Sequence, residues 1–97
     1  MPRLRTRTSP AERLQDPARG SRVAVTCVVT APSATAVHIF ELDVTTGRVS
    51  YSAPDIPEHA RQWADVGEVD PSPGDRGRRL ARFARGHVAR SLNTGTA

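Results

Sequence analysis

Five arginines near the C-terminal end of the chain are spaced so that a helix would place them close together on its surface. Arg78, Arg82 and Arg85 recur at intervals of four and three residues, and Arg79 and Arg90 flank them. Such intervals place side chains on one side of a helix. A guanidinium group is a planar, permanently charged fork that pairs well with phosphate oxygens. The spacing therefore predicts binding of a polyanion, with nucleic acid as the first candidate.

A second group of arginines lies near the N-terminus. Arg3, Arg5 and Arg7 alternate with uncharged residues. We expect residues 1–21 to form a flexible basic arm, because proline and charge are frequent there and no long apolar stripe develops. Such an arm can reach into a nucleic-acid groove. The predicted nucleic-acid-binding residues are Arg3, Arg5, Arg7, Arg78, Arg79, Arg82, Arg85 and Arg90.

Residues suited to metal binding or catalysis are few and scattered. The side chains able to bind a soft metal are Cys27, His38, His59 and His87, and none of them has metal-ligand spacing. We expect Cys27 to be buried and unreactive, because burial raises the pKa of a thiol. Glu41 and Asp43 form either a carboxylate pair or the solvated side of a strand. No glycine-rich phosphate loop or HExxH pattern occurs. The sequence therefore predicts no enzyme, metal or cofactor.

Composition limits the class of protein. The chain has 97 residues, enough for one domain with a modest core that homodimerisation would enlarge. One cysteine excludes a disulfide framework. The basic N-terminus is not followed by the apolar stretch of a signal peptide, and no segment is apolar enough to span a membrane. We therefore expect a cytoplasmic protein without membrane attachment.

Charge is strongly segregated along the chain. Residues 1–22 carry a net charge of +4, residues 23–75 carry −6, and residues 76–97 carry +6. Three interpretations follow from this layout. The basic ends bind nucleic acid or another acidic partner, or they pair with the chain's own acidic middle, or they are only solvated surface.

Three segments alternate apolar and polar residues as strands do. They are residues 22–30, 36–44 and 48–53. A two-residue turn at Thr46–Gly47 would join the last two and place Leu42 opposite Tyr51, with their apolar side chains on one face. The prediction is a three-stranded antiparallel meander.

Helical patterns follow the strands. Asp55 to Glu58 resembles a capping box, and the apolar stripe of Ile56, Ala60, Trp63 and Ala64 predicts a first helix that ends before Gly67. A second helix is predicted from Asp75 to about Leu92, and residues 93–97 are expected to fray. The predicted fold is α+β: a three-stranded antiparallel β-meander followed by two helices (βββαα), in a single domain over residues 22–92, with a disordered basic arm. The predicted core consists of Phe40, Leu42, Val44, Tyr51, Trp63, Leu80, Phe83 and Val88.

One segment resembles a known family. The run from Gly47 to Pro54, together with the βββαα order, is similar to MbtH-like accessory proteins of peptide synthetases, although Ala53 stands where that pattern has Trp. The order of sheet and helices also resembles small leader-peptide-binding domains of peptide-maturation systems. These resemblances imply an accessory role, and the chain is assigned to no family.

The sequence favours a small basic nucleic-acid-binding or regulatory accessory protein. It would use the arginine-rich C-terminal helix and the N-terminal arm. The alternative is a non-enzymatic adaptor that binds a partner protein through its sheet edge or acidic middle.

Overall fold

Six antiparallel strands form one sheet, and a single α-helix covers one of its faces. The computed structural model describes residues 5–31, 34–53 and 56–95. The strands are β1 (Arg5–Thr8), β2 (Glu12–Asp16), β3 (Gly20–Ala31), β4 (Ala34–Asp43), β5 (Arg48–Ser52) and β6 (Ala64–Glu68). A 3₁₀ turn spans Glu58–Ala60, and α1 spans Arg76–Gly95. The fold is therefore α+β, with most of its ordered backbone in the sheet.

The first position of the sheet is shared by two strands. Both β1 and β2 pair with β3, and the order continues through β4 and β5 to β6. Between β1 and β2, residues 9–11 face only two residues of β3, which makes a β-bulge. The Ser9 amide donates to the Thr26 carbonyl (2.8 Å), and the Thr26 amide donates to Ser9 Oγ (2.9 Å). Pro10 is accommodated here because a bulge on an outer strand needs no N–H from it.

The core lies between α1 and one face of β3, β4 and β5. Alternate residues of β3 face the helix because successive strand side chains point to opposite sides of a sheet. The buried apolar residues are Val23, Val25, Cys27, Val29, Phe40, Leu42, Val49, Leu80, Ala84 and Val88. In α1, Leu80, Ala84 and Val88 follow a four-residue interval, which gives the helix one continuous apolar side.

The prediction of two helices is wrong. Residues 56–64, expected to be helical, contain only the 3₁₀ turn, and Ala64 already begins β6. A helix of two turns has little stability in water, because nucleation is costly. Pairing with β5 satisfies the backbone groups of β6 instead, and Arg48 Nη2 lies 2.7 Å from Asp65 Oδ1 across that pair.

The prediction of a disordered N-terminal arm is also wrong for residues 5–21, and residues 1–4 lie outside the described part of the chain. Residues 5–8 and 12–16 are strands paired along almost the whole of β3. The 12 residues of β3 would otherwise leave a long row of backbone N–H and C=O groups unpaired on that side. The need for backbone hydrogen-bond partners arises in β3, so the polar composition of residues 5–16 does not indicate that they form strands.

The hairpin between β4 and β5 differs from its prediction by two residues in register. Leu42 pairs with Val49 and Phe40 with Tyr51, so the loop has four residues. Asp43 Oδ1 accepts hydrogen bonds from the Thr45 amide (2.8 Å) and the Thr46 amide (3.2 Å). This side-chain bonding favours the wider turn. A shift of two residues keeps every side chain on its predicted face.

The predicted core is correct in part. Phe40, Leu42, Leu80 and Val88 are buried, whereas Val44, Tyr51 and Phe83 are partly buried against them. Trp63 is outside this cluster, because its predicted helix does not form. The final helix continues to Gly95, so residues 93–95 are helical rather than frayed, and residues 96–97 lie outside the described part of the chain.

Candidate functional site

The exposed side of α1 carries a stripe of arginines. Arg78, Arg82 and Arg85 are all exposed, and we call these three residues the arginine stripe. At about 1.5 Å of rise per residue, the stripe extends roughly 10 Å along the helix. Residues 76–95 contain six arginines and no acidic residue. The periodicity that buries the apolar side of α1 therefore concentrates positive charge on the solvent side.

The acidic residues of β4 and β6 are paired with arginines that lie outside α1. Arg19 Nη1 lies 2.6 Å from Glu41 Oε1, and Arg22 Nη2 lies 3.7 Å from Asp43 Oδ2. Asp65 and Glu68 both lie near Arg48. Among the carboxylates whose side chains the structure describes, none forms an ion pair with the arginine stripe. The paired acids of the middle segment contact Arg19, Arg22 and Arg48 instead.

The two flanking arginines of α1 have other surroundings. Arg79 turns toward the preceding loop, where its Nε donates to the Asp70 carbonyl (3.1 Å) and its Nη2 donates to the Ser72 carbonyl. Arg79 therefore holds the loop to the start of the helix. Arg90 is exposed beside His87, and its positive charge helps to lower the pKa of that histidine.

The N-terminal arginines belong to a different surface. In β1, Arg5 pairs with Thr30 and Arg7 with Val28, so both point to the sheet face opposite α1. Thr8 points toward the helix and accepts a hydrogen bond from Arg85 Nη1 (3.2 Å). Arg3 lies outside the described residues. Sequence reasoning grouped both sets of arginines, and the structure separates Arg5 and Arg7 from the stripe.

Two of the predicted metal-binding candidates, His38 and His87, both lie close to Tyr51 on the sheet face that α1 covers. His38 Nδ1 lies 3.0 Å from Tyr51 Oη, and the rings of Tyr51 and His87 are 6.3 Å apart. With Val88 and Ser91 they line a small cavity of about 180 Å³. His59 is exposed on the 3₁₀ turn. Among the described residues, no group of three histidine, cysteine or acidic side chains is arranged to hold a metal ion.

Burial sets the protonation of this cluster. It lowers the pKa of His38 below its ordinary value, and the charge of His87 lowers it further. Burial likewise lowers the pKa of His87, with a smaller effect from Arg90. The pKa of the Cys27 thiol is raised by burial, and the charge of Arg85 opposes this shift. Cys27 is fully buried, which agrees with its predicted lack of reactivity.

These shifts predict a loss of stability in mild acid. The unfolded chain protonates both histidines near their ordinary pKa of about 6.5, whereas the folded chain keeps them neutral to lower pH. The unfolded state therefore binds more protons, and the free energy of unfolding should fall between about pH 7 and about pH 5. Asp43, whose pKa is lowered mainly by the Thr45 amide, contributes only below this range. Urea titrations across this range measure the slope.

A matched pair of variants assigns the effect. His87→Gln should flatten the pH dependence, because it removes one titrating group from the cluster. His38→Gln should flatten it as well, because burial also lowers the pKa of His38. An equal slope in the wild type and in His87→Gln would contradict the assignment.

Sequence reasoning missed a second site on the opposite sheet face. A cavity of about 500 Å³ lies between the β2–β3 hairpin, β4 and the segment that precedes β6. Glu41, expected on a solvated strand face, is only 8% exposed at this site. Trp63, expected in the core, lines the cavity and stacks against Arg19. No spacing in the sequence marks this cavity, because its walls come from three separate segments.

Comparison of the chain with protein-family models, with curated proteins and with solved structures gives no match in any of the three. In the part of the chain that the structure describes, no helix is long and apolar enough to cross a bilayer.

Proposed function

We propose that this protein binds nucleic acid through the arginine stripe of α1. The observation that supports the proposal is the exposure of Arg78, Arg82 and Arg85 on one side of a helix that contains no acidic residue. The acids of β4 and β6 pair with arginines outside α1, so none of these acids compensates the charge of the stripe. A phosphate backbone is a partner of matching charge.

The binding would be largely independent of base sequence. Guanidinium groups contact phosphate oxygens bidentately, and such contacts orient a protein on nucleic acid without reading bases. The apolar side of α1 is committed to the core through Leu80, Ala84 and Val88, which leaves only the charged side for a partner. A membrane surface fits less well, because interfacial helices insert bulky apolar residues that the exposed side of α1 lacks. A cytoplasmic location, favoured by the sequence, would give access to nucleic acid.

Salt dependence tests the proposal directly. Affinity for a duplex DNA is measured by fluorescence anisotropy between about 50 mM and about 300 mM salt, for the wild type and for the triple variant Arg78→Ala/Arg82→Ala/Arg85→Ala. Each phosphate contact contributes about −0.9 to the slope of log K against log salt. We therefore expect the triple variant to bind more weakly and to reduce the magnitude of that slope by about 2.7.

Two control proteins separate a specific site from general charge. Arg82→Ala and Arg48→Ala each remove one positive charge. Only Arg82→Ala should lower the affinity for DNA, by the amount expected for the loss of one phosphate contact. Arg5→Ala/Arg7→Ala removes two charges from the other sheet face and should alter the slope less than the single Arg82→Ala change. Equal losses in all variants, or no duplex binding at about 50 mM salt, would contradict the proposal.

A further inference from the structure

The cavity on the sheet face opposite α1 has the form of a small-molecule site. Its volume of about 500 Å³ lies in the range of pockets that enclose small ligands. The β2–β3 hairpin supplies Leu14 and Arg19, β4 supplies Glu41, and the segment before β6 supplies Arg61 and Trp63. Polar and apolar groups therefore converge from three segments on one concave space.

Apart from Arg61, the charges that line the cavity are balanced, since Arg19 and Arg22 accompany Glu41 and Asp16. Asp16 Oδ1 accepts hydrogen bonds from the Ala18 amide (2.8 Å) and the Arg19 amide (3.1 Å). Glu41 Oε1 lies 2.6 Å from Arg19 Nη1 and 3.9 Å from Arg22 Nε. Arg22 also reaches Asp43, at 3.7 Å. A buried carboxylate requires such partners, because desolvation of an unpaired charge is costly. The charges of Arg19 and Arg22 are thus used within the protein.

Arg61 differs from these two arginines. Its Nε donates to the Ile56 carbonyl (3.3 Å), and this backbone bond leaves the charge of the guanidinium uncompensated. Among the side chains that the structure describes, which exclude that of Glu58, no carboxylate oxygen lies within 4.0 Å of it. Arg61 lines the cavity and is partly buried. It therefore offers an anion-binding group at the wall of the cavity.

Flat and apolar surface completes the cavity. The guanidinium carbon of Arg19 lies 4.1 Å from the centre of a Trp63 ring, an arrangement that orients the indole. Leu14 is 39% exposed, one of two large apolar side chains in the described chain that are exposed to this degree. Both residues line the cavity, so a ligand would cover apolar surface that is otherwise in water.

We propose that this cavity binds a small organic anion, in which a carboxylate or phosphate group is attached to a flat apolar group. The anionic group pairs with Arg61, and the flat group lies against Trp63 and Leu14. The site is on the opposite sheet face from the arginine stripe. It is independent of nucleic-acid binding, and each proposal can fail without the other.

The protein contains its own reporter for this site. Trp63 is the only tryptophan in the chain, so intrinsic fluorescence reports the surroundings of one residue. Benzoate, phenyl phosphate and benzylamine serve as probes, since they share a ring and differ in charge. We expect a saturable change with benzoate, phenyl phosphate or both, and none with benzylamine. The anion that binds more tightly identifies the carboxylate or the phosphate as the preferred group.

Two variants with the same change of charge complete the test. Arg61→Gln should weaken anion binding about tenfold or more, as expected for the loss of one charge-assisted hydrogen bond. Arg48→Gln, which does not line the cavity, should bind as the wild type does. Circular dichroism of both variants confirms that they are folded. The proposal is overturned by the absence of saturation with either anion, by equal binding of benzylamine, or by equal weakening in both variants.

Discussion

Replacing Phe40 with alanine is expected to lower the free energy of unfolding by about 3–5 kcal/mol. Phe40 is fully buried in β4. Its ring centre lies 5.3 Å from that of Tyr51 in β5 and 5.7 Å from that of His87 in α1. Truncation removes contacts on both layers of the fold and leaves a cavity that a rigid sheet cannot close. In a small domain this is a large part of the total stability.

Phe83 provides the matched control for this change. It is the only other phenylalanine, and it is partly buried at the margin of the same core. Phe83→Ala should cost less, because part of its ring is already in water. Urea unfolding followed by circular dichroism gives both values. A smaller loss for Phe40→Ala than for Phe83→Ala would show that the core is not centred on β4.

Gly47→Ala is expected to cost about 2–4 kcal/mol, through two separate effects. The backbone at Gly47 has φ of +80°, a conformation that strains any residue with a Cβ. An added Cβ would also lie 2.6 Å from the Val69 carbonyl oxygen. Relief of that contact displaces the chain after β6, whose Val69 amide donates to the Gly47 carbonyl (2.8 Å).

Gly20→Ala isolates the backbone effect. Gly20 has a similar φ of +82°, and a Cβ there would meet nothing within 4 Å. Its cost should be limited to about 1–2 kcal/mol of backbone strain. The difference between the two variants, measured by thermal or urea unfolding, gives the cost of the contact with Val69. Equal losses of unfolding free energy in the two variants would show that the loop after β6 moves away from the added Cβ without loss of stability.

The sheet was predictable where burial imposes a regular pattern. In β3, Val23, Val25 and Val29 alternate with partly exposed residues, and this period of two appears directly in the sequence. The same holds for the paired residues Phe40 and Tyr51, whose faces were correct although their register was not. Register depends on turn geometry, and the hydrogen bonds accepted by Asp43 favour a longer loop than Gly47 alone suggests.

The remaining strands were not predictable from their own residues. β1 and β6 are short, and neither has a buried apolar row of its own. They are strands because β3 and β5 present backbone groups that need partners, which is a tertiary cause. The stripe around Trp63 had helical spacing, but pairing with β5 outweighs the weak propensity of so short a helix.

The two candidate sites differ in the same respect. The arginine stripe lies on one helix, so its period of three and four residues indicated it directly; its function remains a prediction. The cavity beside Trp63 combines Arg19 and Arg61, which are far apart in sequence and meet only when β6 joins the sheet. A pattern along the chain can reveal the first kind of site, whereas the second requires the tertiary fold.

The bulge at Ser9 and Pro10 has a consequence for how molecules of this protein meet one another. Outer strands invite intermolecular pairing and fibrillar aggregation unless something interrupts them. On one border of this sheet, Pro10 removes a donor and the bulge breaks the line of the strand. On the other, the pairing of β5 and β6 shifts register after Val49. Neither edge of the sheet therefore pairs readily with a strand of another molecule, and we expect concentrated solutions of the protein not to form fibrils by strand addition.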